Sequence, residues 1–404
     1  MPNTLSISRR SFARMVGAGA ACAVARPIIS VAAPSVSYLS STFTARAPEM
    51  AGLVRLNSNE NPYGPSPMAI KAMSDAFGLA WRYPDEHADL LIDTLARMNG
   101  VNRDQILLGD GSGEILKMCA SAFTGPMGGY RRSFELAKPT RGPALKFVPG
   151  RGKMIVADPT FEAILNHAQV NGAEVVKVPL TKTFAHDLPR MRAAAVEGLI
   201  YVCNPNNPTA SITPKQDLRD FINSVPQSTM ILVDEAYFHY ADSADYESVI
   251  PMIKDHPNLI VARTFSKIYG MAGLRCGYCI AKPETIQRMR PHQTWDSVNI
   301  MALAAAIASL NDRDQVSNGR RWNSETKKFL SGELDAMGYQ QIPSQANFLM
   351  IDVKRPVRPL LDGLKSKGVQ VGRAFPALPN HMRVTIGKRS EIEIFLSAFR
   401  QVTA

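Results

Sequence analysis

An α/β fold, with a large, mixed but mostly parallel sheet sandwiched by helices, is what this sequence predicts, and three observations carry the prediction. Short uninterrupted apolar runs, Leu199–Val202, Met230–Val233 and Leu259–Ala262 among them, alternate with amphipathic stretches from about Leu53 onward. Such runs read as strands buried on both faces, and strands alternating with helices build parallel sheets. Polar and ionisable residues follow each run, where a parallel sheet would deliver them to a cleft. A chain of 404 residues allows two or three domains, and 45% apolar and 20% charged residues exclude a mostly disordered, fibrous or disulfide-scaffold protein.

The net charge of +11 is dispersed along the chain. No basic stripe interleaved with aromatics appears, so nucleic acid is not an expected partner. Cys22, Cys119, Cys203, Cys276 and Cys279 are too few for a disulfide framework and read as reduced thiols. The histidines show no zinc-ligand spacing, and no metal is expected.

At the N-terminus, Ser8-Arg9-Arg10-Ser11-Phe12-Ala13-Arg14 precedes an apolar run from Met15 to Ala25 that ends in Ala23-Val24-Ala25. This resembles a twin-arginine export signal with a small-residue cleavage site, placing the mature protein in the periplasm or outside the cell. The alternative is a disordered leader with a chance arginine pair on a cytoplasmic protein. Arg26 interrupts the run well short of a membrane span, so no stable membrane insertion is expected. Residues 26–50, rich in Ser, Thr, Pro and Ala, read as a linker.

Further on, Gln105–Leu108 reads as a strand and Glu114–Phe123 as a helix, with Gly109-Asp110-Gly111-Ser112-Gly113 between them. Such a loop aims free N–H groups at an anion on the positive end of the helix. The stretch Gly125 to Lys153 is a Gly/Pro-rich insertion with Arg131, Arg132, Lys138, Arg141, Lys146, Arg151 and Lys153 against the single acid Glu135. It reads either as a lid or partner contact or as a solvated loop. Asn204-Pro205-Asn206-Asn207-Pro208-Thr209 follows the Leu199 strand as a turn. The Met230 strand delivers Asp234-Glu235-Ala236-Tyr237, and the Leu259 strand delivers Ser266-Lys267. A lysine held there among small and apolar residues loses solvent, which disfavours its ammonium form and makes the amine a candidate for Schiff-base chemistry. Cys276-Gly277-Tyr278-Cys279 mimics a redox pair, but residues three apart on a strand point to opposite faces.

From about Leu56 to Gly387, these ordered motifs together resemble the class I/II, fold-type-I pyridoxal-phosphate aminotransferases, with motifs like those of the histidinol-phosphate aminotransferase group. The resemblance implies the PLP-dependent transferase fold type I: a large cofactor-binding domain over residues 80–300, containing the insertion at about 126–148. A smaller α+β domain would be built from residues 301–404, joined by an N-terminal arm over 51–79. It implies pyridoxal 5'-phosphate as cofactor and transfer of an amino group, by a ping-pong mechanism, between an amino acid or related amine and a 2-oxo acid. By the same resemblance Lys267 binds the cofactor covalently and moves the substrate proton, and Asp234 holds the pyridine nitrogen protonated so that the ring accepts electrons. Tyr237 and Asn207 would hydrogen-bond the phenolic oxygen, Asn207 also bordering the substrate. Ser112, Gly113, Ser266 and Arg275 would cradle the phosphate, and Phe161 would stack on the ring. Arg383, in Met382-Arg383-Val384-Thr385-Ile386-Gly387, is similar to the arginine that clamps the substrate's anionic end, a bidentate task suited to guanidinium. Tyr63 and Tyr83 resemble residues that reach across a homodimer, Tyr63 toward the substrate and Tyr83 toward the neighbouring cofactor phosphate.

One departure bears on substrate. The histidinol-phosphate group carries a second arginine directly after a strand like Gly368-Val369-Gln370-Val371, whereas here Gly372 intervenes and Arg373 is displaced by one position. A one-residue slip turns a strand side chain to the other face unless the backbone bulges. Decarboxylation, elimination or cyclisation on the same fold remain alternatives, as does a non-catalytic ligand-binding protein.

Overall fold

The computed structural model describes residues 52–128, 133–135 and 146–404; the export signal, the linker and most of the basic insertion lie outside the described residues. Its strands are β1 (Val54–Leu56), β2 (Ile106–Gly109), β3 (Phe134–Glu135), β4 (Lys146–Phe147), β5 (Lys153–Asp158), β6 (Val175–Pro179) and β7 (Gly198–Cys203). They continue as β8 (Thr229–Asp234), β9 (Leu259–Thr264), β10 (Gly277–Ile280), β11 (Gln341–Ile342), β12 (Phe348–Asp352), β13 (Val369–Val371) and β14 (His381–Thr385).

Seven strands form one sheet in the order β2-β10-β9-β8-β7-β5-β6, with only β10 antiparallel to its neighbours. The apolar runs lie at its centre because both of their faces are covered. In β7, Ile200 and Val202 enter one core with Leu91 and Leu95 of helix Asp85–Asn99 and Phe221 of helix Lys215–Ser224. Leu199 and Tyr201 enter the opposite core with Ile115 of helix Gly111–Phe123 and Ile164 of helix Ala163–Val170. The alternation is the period-two pleat of a strand buried on both sides. It also separates the redox-like pair: Cys276 belongs to the first core and Cys279 to the second, both as buried free thiols.

A third core gathers the short parallel pair β1 and β13, strands β12 and β14 of the antiparallel sheet β11-β12-β14, and helices Arg313–Ala336, Val357–Ser366 and Arg389–Thr403. Within the insertion, β3 and β4 pair antiparallel, Phe134 opposite Phe147.

One boundary differs from expectation. The helix read from Glu114 begins at Gly111, so Ser112 and Gly113 are first-turn residues rather than loop. Glu114 stabilises this early start, its carboxylate accepting from the N–H of Asp110 (2.7 Å) and the hydroxyl of Ser297 (2.6 Å). Among the described residues no helix is long and apolar enough to cross a membrane.

Candidate active site

Because β2, β5, β7, β8 and β9 run in one direction, their carboxyl ends open on one edge of the sheet. From that edge come Ser112 after β2, Phe161 after β5, Asn207 after β7, Asp234 and Tyr237 at and after β8, and Ser266 and Lys267 after β9. Arg383 arrives from β14, in the other sheet.

Lys267 Nζ donates to the carbonyls of Ser58 (3.3 Å) and Asn59 (3.1 Å) and lies 5.5 Å from the centre of the Tyr237 ring. Loss of solvent, aided by the Arg383 guanidinium, brings its amine down to about 8. Asp234, only 2% exposed, accepts the Tyr201 hydroxyl at 2.9 Å and the Ala236 N–H at 3.1 Å. Its burial outweighs those donors and pushes its carboxyl up to about 6. The adjacent Glu235 is neutralised by Arg263 at 2.8 Å, a buried pair beneath the site.

The Tyr237 oxygen receives Asn59 Nδ2 at 3.0 Å and Asn207 Nδ2 at 3.5 Å. With two donors aimed at its lone pairs, its own proton is directed elsewhere, as a donor. Burial raises the phenol well above its usual range and keeps that proton in place. Arg383 Nη1 donates to Asn207 Oδ1 at 2.7 Å and Nη2 to the Asn57 carbonyl at 2.6 Å, while its buried Nε has no partner.

Not every predicted residue converges within one chain. Tyr63 packs on Trp322, ring centres 4.3 Å apart, and Tyr83 is 78% exposed. Arg373 stays at the rim of this edge: it pairs with Glu162, the neighbour of Phe161, and lies 4.4 Å from the Phe375 ring, which Arg383 approaches at 5.4 Å. The one-residue displacement therefore keeps Arg373 near Arg383 and gives it a carboxylate partner of its own.

Sequence reasoning missed Tyr201 and Asn59. The first sits in an unbroken apolar run, where its hydroxyl was the only hint; the second was visible only as part of a motif, with no sign of its bond to Tyr237.

A model of the family described as aminotransferase class I and II matches residues 51–399. This chain belongs to that family. It is 37% identical over 357 residues to a histidinol-phosphate aminotransferase of Moorella thermoacetica, covering 87% of this chain and 86% of the relative. To one from Symbiobacterium thermophilum it is 36% identical, covering 86% and 90%. The crystal structure of the Sinorhizobium meliloti histidinol-phosphate aminotransferase in complex with pyridoxal-5'-phosphate aligns with a TM-score of 0.75 at 25% identity, covering 87% of this chain and 91% of that one. The aminotransferase fold is thus the fold type I expected, its cofactor is pyridoxal 5'-phosphate, and its reaction is transamination between an amino acid and a 2-oxo acid.

The residues present fit that cofactor. Arg275 Nη2 stands where a Cβ on Gly111 would be, 2.2 Å from that point, so a guanidinium abuts the positive N-terminus of helix Gly111–Phe123. Arg275 Nη1 also donates to Ser266 Oγ at 3.4 Å, and Arg275 forms no ion pair with a described carboxylate. Two positive centres held together in this way suit a phosphate, with the N–H groups of Ser112 and Gly113 as further donors. Asp234, a buried acid that forms no ion pair among the described residues, suits a protonated ring nitrogen.

Bound pyridoxal phosphate supplies an aldehyde for amine attachment and a ring that accepts electrons from the substrate α-carbon. With the cofactor bound, Lys267 Nζ, largely removed from water, would be the group to take a proton from that carbon and return it. Asp234 would hold a proton on the ring nitrogen, Tyr237 would donate to the phenolic oxygen, and Arg383 would orient the substrate by its anionic end.

Proposed function

We propose that this aminotransferase takes an amino donor whose anionic end is a carboxylate seated on Arg383. One observation carries the reading: Arg383 is fixed by Asn207 and Asn57, yet its buried Nε is unpartnered. A desolvated guanidinium held this way favours a planar bidentate anion. Histidinol phosphate, which the relatives' name suggests, would draw on a second free arginine, and Arg373 already faces Glu162. The test is a single turnover: holoenzyme is offered a panel of amino acids and histidinol phosphate, and conversion of the cofactor to pyridoxamine phosphate is measured. Faster conversion by at least one amino acid is expected. Histidinol phosphate outpacing every amino acid would overturn the carboxylate assignment.

A homodimer belongs to the same proposal. Tyr83 is largely exposed, and Phe77, Leu79 and Trp81 beside it are exposed as well. Such an apolar patch is what a partner copy would cover. The proposal extends to export by the twin-arginine route, supported by Arg9-Arg10-Ser11-Phe12 and Ala23-Val24-Ala25. That pathway moves folded proteins, so a cofactor loaded inside the cell would travel with the chain. Fractionation of wild type against an Arg9→Lys/Arg10→Lys variant tests it; an unchanged distribution removes the claim.

A further inference from the structure

Strand β7 is apolar and buried along its whole length, and phenylalanine at position 201 would meet every packing requirement there. The chain instead places a hydroxyl in that core, which is unfavourable unless the hydroxyl is bonded. Its partner is Asp234 Oδ2 at 2.9 Å. The register explains the reach. Cys203 lies opposite Asp234 on β8, so Tyr201, two residues back on the same face, is a diagonal neighbour, a separation an aromatic side chain spans.

We infer that Tyr201 is a positioning residue for the cofactor's ring nitrogen: by donating to Oδ2 it fixes the plane of the Asp234 carboxylate and stabilises its charge. The inference rests on Asp234 serving the ring nitrogen as described above. Oδ1 is engaged by the Ala236 N–H, so the two donors between them remove the carboxylate's rotational freedom. Burial also raises the Tyr201 phenol, so it stays protonated and acts as a donor throughout the working pH range. The other charges felt at Asp234 are Lys267, which favours its ionised form, and Glu235, which opposes it and is itself paired with Arg263. Neither constrains the carboxylate plane.

Tyr201→Phe removes one oxygen and keeps the ring. The pyridoxal phosphate dissociation constant of the apo protein is expected to rise about tenfold, the scale of one charge-assisted hydrogen bond. Affinity falls when Asp234 is protonated. Without the Tyr201 donor that protonation occurs more readily, so the acid midpoint of cofactor affinity should move to higher pH in the variant. A purely structural tyrosine would lower the unfolding midpoint and leave the acid midpoint alone. A double-mutant cycle isolates the route: in an Asp234→Asn background, Tyr201→Phe should weaken the cofactor by less than twofold. If Tyr201→Phe alone leaves affinity and acid midpoint unchanged while Asp234→Asn weakens binding, the role assigned to Tyr201 is wrong. If Asp234→Asn itself binds cofactor like wild type, the assignment of Asp234 fails instead. A tenfold loss that persists in the Asp234→Asn background overturns the positioning role, because the hydroxyl would then act elsewhere.

Discussion

At Lys267 the local charges do not all pull one way. Arg383 and Arg275 disfavour its ammonium form, Glu60 and Asp234 favour it, and the loss of solvent, the largest effect, sets the downward direction of the shift. With the amine brought down to about 8, about one lysine in ten is neutral at pH 7, against a few in ten thousand for an ordinary side chain. Only the neutral amine attacks an aldehyde. The rate of covalent cofactor loading should therefore climb as pH rises through about 8 and level off by about pH 9. Rapid mixing of apo protein with pyridoxal phosphate measures this, and a rate still climbing between about pH 9 and 10.5 would show that the lysine is unperturbed. Arg383→Gln removes one of the two opposing cations and should move the midpoint upward. Lys267 and Asp234 stood out in the sequence because an ionisable residue at the exit of an apolar run is conspicuous, and Arg383 stood out only through its motif's resemblance to the family's. Tyr201 and Asn59 did not, since their roles depend on which strand or strap lies alongside, and that is a tertiary fact.

Among the elements, the strap from Asn57 to Gly64 does the most for the site, because it supplies the Asn59 donor to Tyr237 and both carbonyls that hold Lys267. It is kept in place by close backbone approach: a Cβ at Gly270 would fall 2.2 Å from the Gly64 carbonyl, and Gly270 adopts φ +68°. Gly270→Ala therefore meets two penalties, a left-handed backbone costing about 1–2 kcal/mol and a clash only main-chain movement can relieve. The expected outcome is a stability loss of at least about 2 kcal/mol by denaturant titration. Amide exchange should also quicken in residues 57–64; unchanged protection there would show that the contact does not hold the strap. Elements differed in how well the sequence foretold them. The strands ending in Asp234 and Thr264 announced themselves by continuous apolar residues, whereas the start of the Gly111 helix did not. Two glycines in its first turn argue against helix on propensity, and of the Glu114 bonds that offset this, the one to Ser297 joins segments far apart in the chain.

For the molecule as a whole, the feature left over from a single chain is its exposed aromatic surface. Trp81 is 74% exposed and Tyr83 78%, with Phe77 and Leu79 beside them, on the segment between helices Pro67–Ala76 and Asp85–Asn99. Leaving these side chains in water forgoes about 1.5–3 kcal/mol for each large apolar group that burial would return, so several together are enough to bias a chain toward self-association. Trp81→Glu puts a charge at the centre of that patch, where burial would demand a counter-charge. The expected result is a shift from dimer toward monomer by sedimentation velocity at micromolar concentration. Trp81 is mostly exposed and its ring meets the neighbouring Arg82 guanidinium at 4.0 Å, a surface contact that adds little to stability, so the unfolding midpoint of the monomer should stay close to that of wild type. The two mass species then separate assembly from site chemistry. If Tyr83 serves a neighbouring phosphate site, Trp81→Glu should lose cofactor affinity in step with dissociation and recover it at high protein concentration. A variant that remains dimeric places the interface elsewhere, and a monomer with full cofactor affinity removes Tyr83 from the phosphate site.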